Sequence, residues 1–83
     1  MPTIAIVAGA QLVLYPKDHL PPHLHALFGE YEAMISIATG DILQGKIPGP
    51  KAQAIRAWLK LHREEVAFAW SELRAGRNVG RIG

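Results

Sequence analysis

The sequence predicts an α+β fold. A small, mainly antiparallel β-sheet of two hairpins and a short strand is followed by a long or kinked C-terminal helix packed on one face. Three observations predict this fold. Short β-rich runs separated by turn residues fill the first half of the chain. The hydrophobic period then changes from two to about 3.6 residues after residue 50. Between the two patterns lies a stiff Ile-Pro-Gly-Pro segment at residues 47–50, which is a helix-start signal.

The length of 83 residues predicts one domain over residues 1–83, with the sheet at about 3–45, a helical part at about 50–75 and a basic tail at 76–83. A chain of this size hides only about 63% of its surface on folding, so the core is expected to be marginal. The absence of cysteine excludes disulfides, thiolate zinc sites and cysteine nucleophiles. No apolar run approaches the roughly 20 residues of a membrane span, and the start does not resemble a signal peptide. We therefore expect a cytoplasmic protein without membrane contact.

Two hairpins account for most of the predicted sheet. The first joins Thr3–Val7 to residues 11–15, and Pro16 ends the second of these runs. If Gly29 and Glu30 form a two-residue turn in the second hairpin, its register sorts the side chains into two sets. One face is wholly apolar and pairs Phe28 with Tyr31, Ala26 with Ala33 and Leu24 with Ile35. The other face pairs Leu27 with Glu32, His25 with Met34 and His23 with Ser36. A turn at residues 39–41 leads into a last short strand near residues 42–44.

The helix is predicted over residues 51–75, with Gly76 as its stop. One apolar stripe faces the sheet: Ile55, Trp58, Leu59, His62, Val66, Ala69, Trp70 and Leu73. A straight helix of this length would span about 37 Å, which is long for so small a domain, so we expect a break near His62 and Arg63. We expect His62 to lie at the edge of the core with one hydrogen bond. A second, thinner strip is expected to be buried rather than to form a protein interface: Ala54, Ala57, Leu61 and Phe68.

Three of the four histidines, His19, His23 and His25, fall within residues 18–25. On a strand, His23 and His25 point the same way, with their Cα atoms roughly 6.6 Å apart. They could act as general acid and base or contact a phosphate. They could also share a metal ion if His19, Asp18 or Glu32 supplied a further ligand. The remaining interpretation is that they are solvated or hydrogen-bonded histidines on the wet face of a sheet.

Charge is uneven along the chain. Residues 1–41 carry one cation against four acids, whereas residues 42–83 carry eight cations against three acids. Five basic residues with no acid between them are candidates for nucleic-acid binding: Lys46, Lys51, Arg56, Lys60 and Arg63. Such a surface can attract a polyanion such as RNA, or an acidic partner protein. The alternative is a solvated helix face followed by a frayed tail.

Several segments together resemble the small bacterial domain-of-unknown-function family numbered 4160. They are the Met-Pro-Thr-Ile start, Asp18-His19, Pro21-Pro22-His23-Leu24-His25-Ala26, Phe28-Gly29-Glu30-Tyr31, Thr39-Gly40, Gly45-Lys46-Ile47-Pro48, Trp58, His62, Glu65-Val66 and Trp70. The Pro-Pro-His-x-His-Ala segment is the most specific part. Leu24 departs from the phenylalanine that the resemblance leads us to expect there, which changes the apolar face and not the histidine face. The resemblance implies no established reaction. It does imply pairing with a second small protein, of the unknown-function family numbered 2442, in modules that look like toxin–antitoxin pairs.

The leading hypothesis is an uncharacterised cytoplasmic protein that is the toxin-like component of such a module and acts on RNA. His19, His23 and His25 would take acid/base or phosphate-contact roles in a ribonuclease-like activity, and the five basic residues would hold the RNA backbone. One alternative is a partner-binding or regulatory module without chemistry, in which Leu61, Phe68 and the basic tail matter. Another is a metal-binding protein using His19, His23 and His25. We expect no cofactor and no resident metal. We expect a second small, antitoxin-like protein as the partner, and a homo-oligomer is compatible with the sequence.

Overall fold

The computed structural model describes residues 3–17 and 19–82; Met1, Pro2, Asp18 and Gly83 lie outside the described residues. Five strands form one antiparallel sheet in chain order: β1 (Thr3–Val7), β2 (Ala10–Val13), β3 (His23–Phe28), β4 (Tyr31–Ser36) and β5 (Ile42–Lys46). One helix, α1 (Gly49–Arg74), follows and packs on the sheet. The predicted α+β class and the order of its elements are therefore confirmed.

The register of the second hairpin is the predicted one. Phe28 pairs with Tyr31 across the Gly29-Glu30 turn, and the remaining pairs follow through to His23 and Ser36. In the first hairpin, Ala8 and Gly9 both have positive φ angles of 51° and 82°. Two such residues match a type I′ turn, whose twist suits a tight hairpin. β2 ends at Val13, opposite His25, two residues earlier than the predicted run.

The helix starts and stops where its end signals indicate. Pro50 occupies the first turn, where its missing N–H removes no helical hydrogen bond. At the other end, Gly76 has a φ of 85°, its N–H donates to the carbonyl of Leu73, and the N–H of Arg77 donates to the carbonyl of Glu72. This pair of hydrogen bonds is a Schellman motif, which satisfies carbonyls that the helix leaves without partners.

The predicted break in the helix is confirmed at His62, whose φ of −119° and ψ of 17° are not helical. A straight helix of 26 residues would measure about 39 Å. The longest dimension of the molecule is 33 Å. The break therefore keeps both halves of α1 on a sheet that is shorter than the helix. His62 is half-buried and its Nδ1 lies 2.9 Å from Oε1 of Glu65, as expected for a histidine at the core edge.

The core lies between α1 and the apolar face of the sheet. Leu24, Ala26 and Ile35 are buried there, together with Ile55 and Leu59 of the helix. The second apolar strip is not buried: Leu61 is 81% exposed and Phe68 is 65% exposed. The expectation of internal burial is wrong because the sheet occupies only one side of α1, and no other described element covers the opposite side.

The C-terminal tail is not frayed, unlike the alternative considered in the sequence analysis. Val79 and Ile82 pack against the core, and the N–H of Ile82 donates to the carbonyl of Ile4 over 2.7 Å. The tail thus covers part of the β1 edge of the sheet. Within residues 3–17 and 19–82, no helix combines the length and the apolar character needed to cross a bilayer.

Candidate functional site

Two adjoining pockets lie on the sheet face that carries His23 and His25, which we call the histidine face. The first, the Glu32 pocket, has a volume of about 250 Å³ and is lined by His25, Glu32, Met34, Gln44 and Gly45. The second, the His19 pocket, has a volume of about 370 Å³ and is lined by His19, Leu20, Pro21, His23, His25, Met34, Leu43 and Gln44. Because the two pockets share His25, Met34 and Gln44, they form one continuous concave site.

His25 and Glu32 form an imidazole–carboxylate pair in this site. Nδ1 of His25 lies 3.2 Å from Oε2 of Glu32. An ionised carboxylate only accepts hydrogen bonds, so Nδ1 of His25 donates in this contact. The imidazole is largely buried, whereas the carboxylate is mostly exposed. Such a pair holds a histidine in one tautomer and orientation, which acid/base catalysis requires.

His23 is held in the interior. It is only 2% exposed and His25 is 9% exposed, so these two histidines are hydrogen-bonded rather than solvated. The Nδ1–H of His23 donates to the carbonyl of Pro21 over 2.8 Å. Its ring centroid lies 5.4 Å from that of Trp70 in the second half of α1. The helix therefore reaches around to this end of the histidine face, which explains why His23 is buried.

A row of aromatic rings extends this packing across the histidine face. Tyr15 meets His25 edge to face at a centroid distance of 4.5 Å, and the rings of His25 and His23 are 5.2 Å apart. Beyond His23, the guanidinium of Arg74 lies 5.4 Å from the Trp70 ring. Edge-to-face contacts favour a defined ring orientation. The row thus favours one orientation of the His25 imidazole.

His19 lies at the mouth of the site. It is exposed and lines the His19 pocket with His23 and His25, so the structure brings the three predicted histidines to one pocket. Among residues 3–17 and 19–82, no three His, Cys, Asp or Glu side chains are placed to hold a metal ion together. The Nδ1 atoms of His23 and His25 are engaged with Pro21 and Glu32. Asp18, a candidate ligand from the sequence, lies outside the described residues.

The floor of the Glu32 pocket depends on Gly45. Its φ of +78° is in the left-handed region, and a Cβ there would overlap the carbonyl oxygen of Glu32. β4 and β5 can approach this closely only because residue 45 has no side chain. Met34 pairs with Gln44 but Ile35 pairs with Ile42, so Leu43 is an extra residue in β5.

This extra residue makes a β-bulge, which re-aims side chains. In a regular strand, Leu43 and Gln44 would point to opposite faces. Here both line the His19 pocket. Because of the bulge, the apolar side chain of Leu43 and the amide of Gln44 lie on the same face although the two residues are adjacent in the chain.

The five predicted nucleic-acid-binding residues are divided between two surfaces. Lys46 pairs directly with Glu32 across β4 and β5, which places both side chains on the histidine face. The other four belong to α1: Lys51, Arg56, Lys60 and Arg63.

Three of the four helix cations have partners within the chain. Lys51 donates to the carbonyl of Ala8 over 2.6 Å and lies 4.5 Å from the Phe28 ring. Arg56 contacts Asp41 at 2.8 Å. Arg63 donates from Nε to the carbonyl of Ile37 over 2.9 Å. These charges therefore also hold the helix to the strands and turns beneath it.

In the sequence analysis, Glu32 is considered only as a metal ligand, and its pairing with His25 is not predicted. The predicted register already contained the signal. His25 pairs with Met34 and Leu27 pairs with Glu32, which makes His25 and Glu32 diagonal neighbours on one face. Long side chains can meet across such a diagonal. Tyr15 and Trp70 gave no comparable signal, because their contacts depend on how distant segments pack.

A five-stranded antiparallel sheet with one broken helix, carrying an oriented imidazole–carboxylate pair on one sheet face, defines a small α+β protein with a candidate acid/base site. The family model of a domain of unknown function (DUF4160) matches residues 9–71, and the chain belongs to this family. The resemblance seen in the sequence is thereby confirmed. No curated protein and no solved structure matches the chain.

Proposed function

We propose that this protein is the toxin-like component of a two-protein toxin–antitoxin-type module and that it acts on RNA at the histidine face. The observation that carries the proposal is the His25–Glu32 pair, which lies in a concave site with His19 at its mouth. Cleavage of an RNA strand through its 2′-hydroxyl needs a base for that hydroxyl, an acid for the leaving oxygen and a cation near the phosphate. The histidine face offers candidates for all three tasks.

The environments of the three histidines assign them different roles. His25 is the general base or acid, because Glu32 fixes its tautomer. His19 is the second acid/base group, since it is exposed and lines the same pocket. His23 is a positioning residue, because it is buried between His25 and Trp70.

The cation is best supplied by Lys46, which pairs with Glu32 on the histidine face. The helix residues Lys51, Arg56, Lys60 and Arg63 act at longer range, through the positive field that draws RNA toward the protein. Binding through such charges weakens steeply as salt is added. The two-protein module enters the proposal through the family resemblance, and a partner chain would also stabilise a marginal core.

The first test is growth of a bacterial host that expresses this chain alone. The wild type should arrest growth, and Glu32→Gln should restore it, because the amide cannot hold the His25 tautomer as a carboxylate does. Glu30→Gln is the matched control, since it removes the same charge from an exposed residue two positions away on the same hairpin. His62→Ala is a second control, because His62 lies outside both pockets.

The purified protein should cleave single-stranded RNA, and Glu32→Gln should lower the rate roughly 100-fold, the scale of a general acid/base contribution. Raising the salt concentration should weaken RNA binding by the wild type. Equal rates for Glu32→Gln and Glu30→Gln, at equal soluble expression and equal thermal stability, would contradict the proposed role of the pair.

A second candidate function is a partner-binding module without chemistry, and one observation favours it. Leu61 and Phe68 are the two large apolar side chains that α1 leaves exposed, with Glu64 and Glu65 between them on the same helix. An exposed apolar patch with an acidic border suits a partner segment that carries apolar and basic side chains.

The two candidate functions separate in one experiment. A Leu61→Ser/Phe68→Ser variant should remain toxic if the histidine face acts on RNA, but it should no longer be rescued by a co-expressed antitoxin-like partner. A module without chemistry makes a different prediction. Cells that express the wild type, this variant or the histidine-face variants should then grow alike, and Leu61→Ser/Phe68→Ser should abolish partner binding.

A further inference from the structure

The His19 pocket is lined by apolar side chains that do not belong to the hydrophobic core. Leu20 is 70% exposed and Leu43 is 45% exposed, and both line this pocket with Pro21 and Met34. Exposed leucines lose the free energy that burial would provide. A ligand that covered them would recover it, so the pocket favours a ligand with a flat or compact apolar surface.

The polar groups of the pocket are few and well placed. Gln44 presents an amide, with two donor hydrogens and one acceptor oxygen, beside Leu43 because of the bulge in β5. His19 contributes an imidazole ring at the mouth, and the buried rings of His23 and His25 line the interior. No lysine or arginine of the described residues lines the pocket, so it is not built for a phosphate group by itself. Apolar walls with one amide suit a neutral heterocycle whose edge carries both a donor and an acceptor.

The volume limits the ligand further. About 370 Å³ is at the lower end of the range of small-molecule pockets, roughly 300–1,000 Å³. This space admits one ring system and excludes a stacked duplex. Because His25, Met34 and Gln44 also line the Glu32 pocket, a ring bound here would place its attached sugar and phosphate beside the His25–Glu32 pair.

We infer that the His19 pocket binds a single unstacked base of the RNA, next to the bond on which His25 acts. This inference rests on the proposed function and adds a base-binding pocket to it. Single-stranded RNA is commonly recognised by splaying bases into such pockets. A glutamine amide can pair with the free edge of any of the four bases, because each edge offers a donor beside an acceptor. A carboxylate in its place would only accept hydrogen bonds and would pair best with guanine, whose edge offers two adjacent donors.

The inference is tested by the binding of the four ribonucleoside 5′-monophosphates, followed by NMR at the Gln44 side-chain amide and by calorimetry. All four nucleotides should shift that amide. Gln44→Glu should bind guanosine monophosphate about tenfold more tightly than the other three, because a carboxylate only accepts hydrogen bonds and guanine offers two adjacent donors. Gln53→Glu, the same change at an exposed helix residue, is the matched control and should not create this preference.

Leu43→Ser should weaken the binding of every nucleotide, whereas Leu61→Ser, at another exposed leucine, should not. Absence of binding by all four nucleotides, or binding without base preference that neither Gln44→Glu nor Leu43→Ser alters, overturns the inference.

The outcome separates the inference from the proposed function. Glu32 does not line the His19 pocket, so Glu32→Gln should lose RNA cleavage and keep nucleotide binding. Nucleotide binding that Gln44→Glu makes selective for guanine, in a protein that cleaves no RNA, would support the pocket and overturn the proposed function. RNA cleavage without base preference, unchanged in Gln44→Glu, would support the function and overturn the base pocket.

Discussion

The two faces of the sheet are made from alternate residues of the same strands, yet they are buried in different ways. On the apolar face, Leu24, Ala26 and Ile35 are buried in one core with residues of α1. On the histidine face, burial is uneven. His23 is enclosed by Trp70 at one end, while Glu32 is mostly exposed at the other.

This difference shows how a small sheet can carry both a core and a site. A chain of this size has only one substantial hydrophobic core, and α1 already provides its cover. The aromatic row of Tyr15, His25, His23 and Trp70 is enough to orient a polar group without closing the whole histidine face. The open end can then admit a ligand at Glu32 and Gln44.

The largest expected difference between the faces is in stability. Leu24→Ala removes a fully buried side chain and should lower the free energy of unfolding by about 2–5 kcal/mol. Met34→Ala, on the neighbouring strand and opposite face, should cost about 1 kcal/mol, because Met34 is half-buried and lines the pockets. Urea denaturation measures both. Similar losses for the two variants would contradict the view that one face carries most of the core.

The next largest effect should appear at the open end of the histidine face. Gly45→Ala would place a Cβ against the carbonyl of Glu32 at a positive φ, which should cost about 1–3 kcal/mol and displace the Glu32 strand. Gly29→Ala is the control, since its φ of +58° is also positive but nothing lies within 4 Å of the added carbon. It should cost about 1 kcal/mol and leave the site intact. Thermal unfolding and the NMR shift of the His25 ring distinguish the two variants. An unchanged His25 signal in Gly45→Ala would contradict the role of Gly45 in placing Glu32 beside His25.

The smallest expected effect concerns the helix end that follows Trp70. Hydrogen bonds from Arg77 lower the pKa of Glu72 below its ordinary value of 4.5. The ionised carboxylate therefore stabilises the fold at neutral pH. That contribution should fade as the pH falls below 4.5 through the lowered pKa, because over this range the unfolded chain binds a proton at Glu72 more readily than the folded protein does.

Glu72→Gln should consequently unfold at a slightly lower temperature than the wild type at pH 7 and at nearly the same temperature near pH 3. Glu64→Gln, at an exposed residue of the same helix, serves as the control for a general change in charge. A difference between wild type and Glu72→Gln that grew toward low pH would contradict the assigned direction.

Local patterns were sufficient to predict the second hairpin. Its turn, its register and the division of its side chains follow from the alternation of Phe28, Ala26 and Leu24 with their partners across the Gly29-Glu30 turn. The same register placed Glu32 diagonally from His25, so the His25–Glu32 pair could have been predicted from the sequence. The break at His62 was also predictable, because the helical pattern was longer than a small domain can accommodate.

Other features needed the folded chain. The exposure of Leu61 and Phe68 depends on there being no second layer over α1, and periodicity alone does not reveal how many layers surround a helix. The docking of Ile82 against Ile4 joins residues 78 positions apart in the chain. The bulge at Leu43 arises where β5 meets β4, and the sequence of β5 by itself does not show which residue is extra.

Local sequence patterns are sufficient for the order of the strands and the helix and for which residues of β3 and β4 share a face, since these depend on backbone preferences and on side chains a few positions apart. They do not reveal that His23 is buried, that Tyr15 and Trp70 complete the aromatic row, or that Lys46 is the predicted nucleic-acid-binding residue on the histidine face. Burial and contact between distant segments are set by how the helix bends over the sheet, and many bends are compatible with the same local pattern.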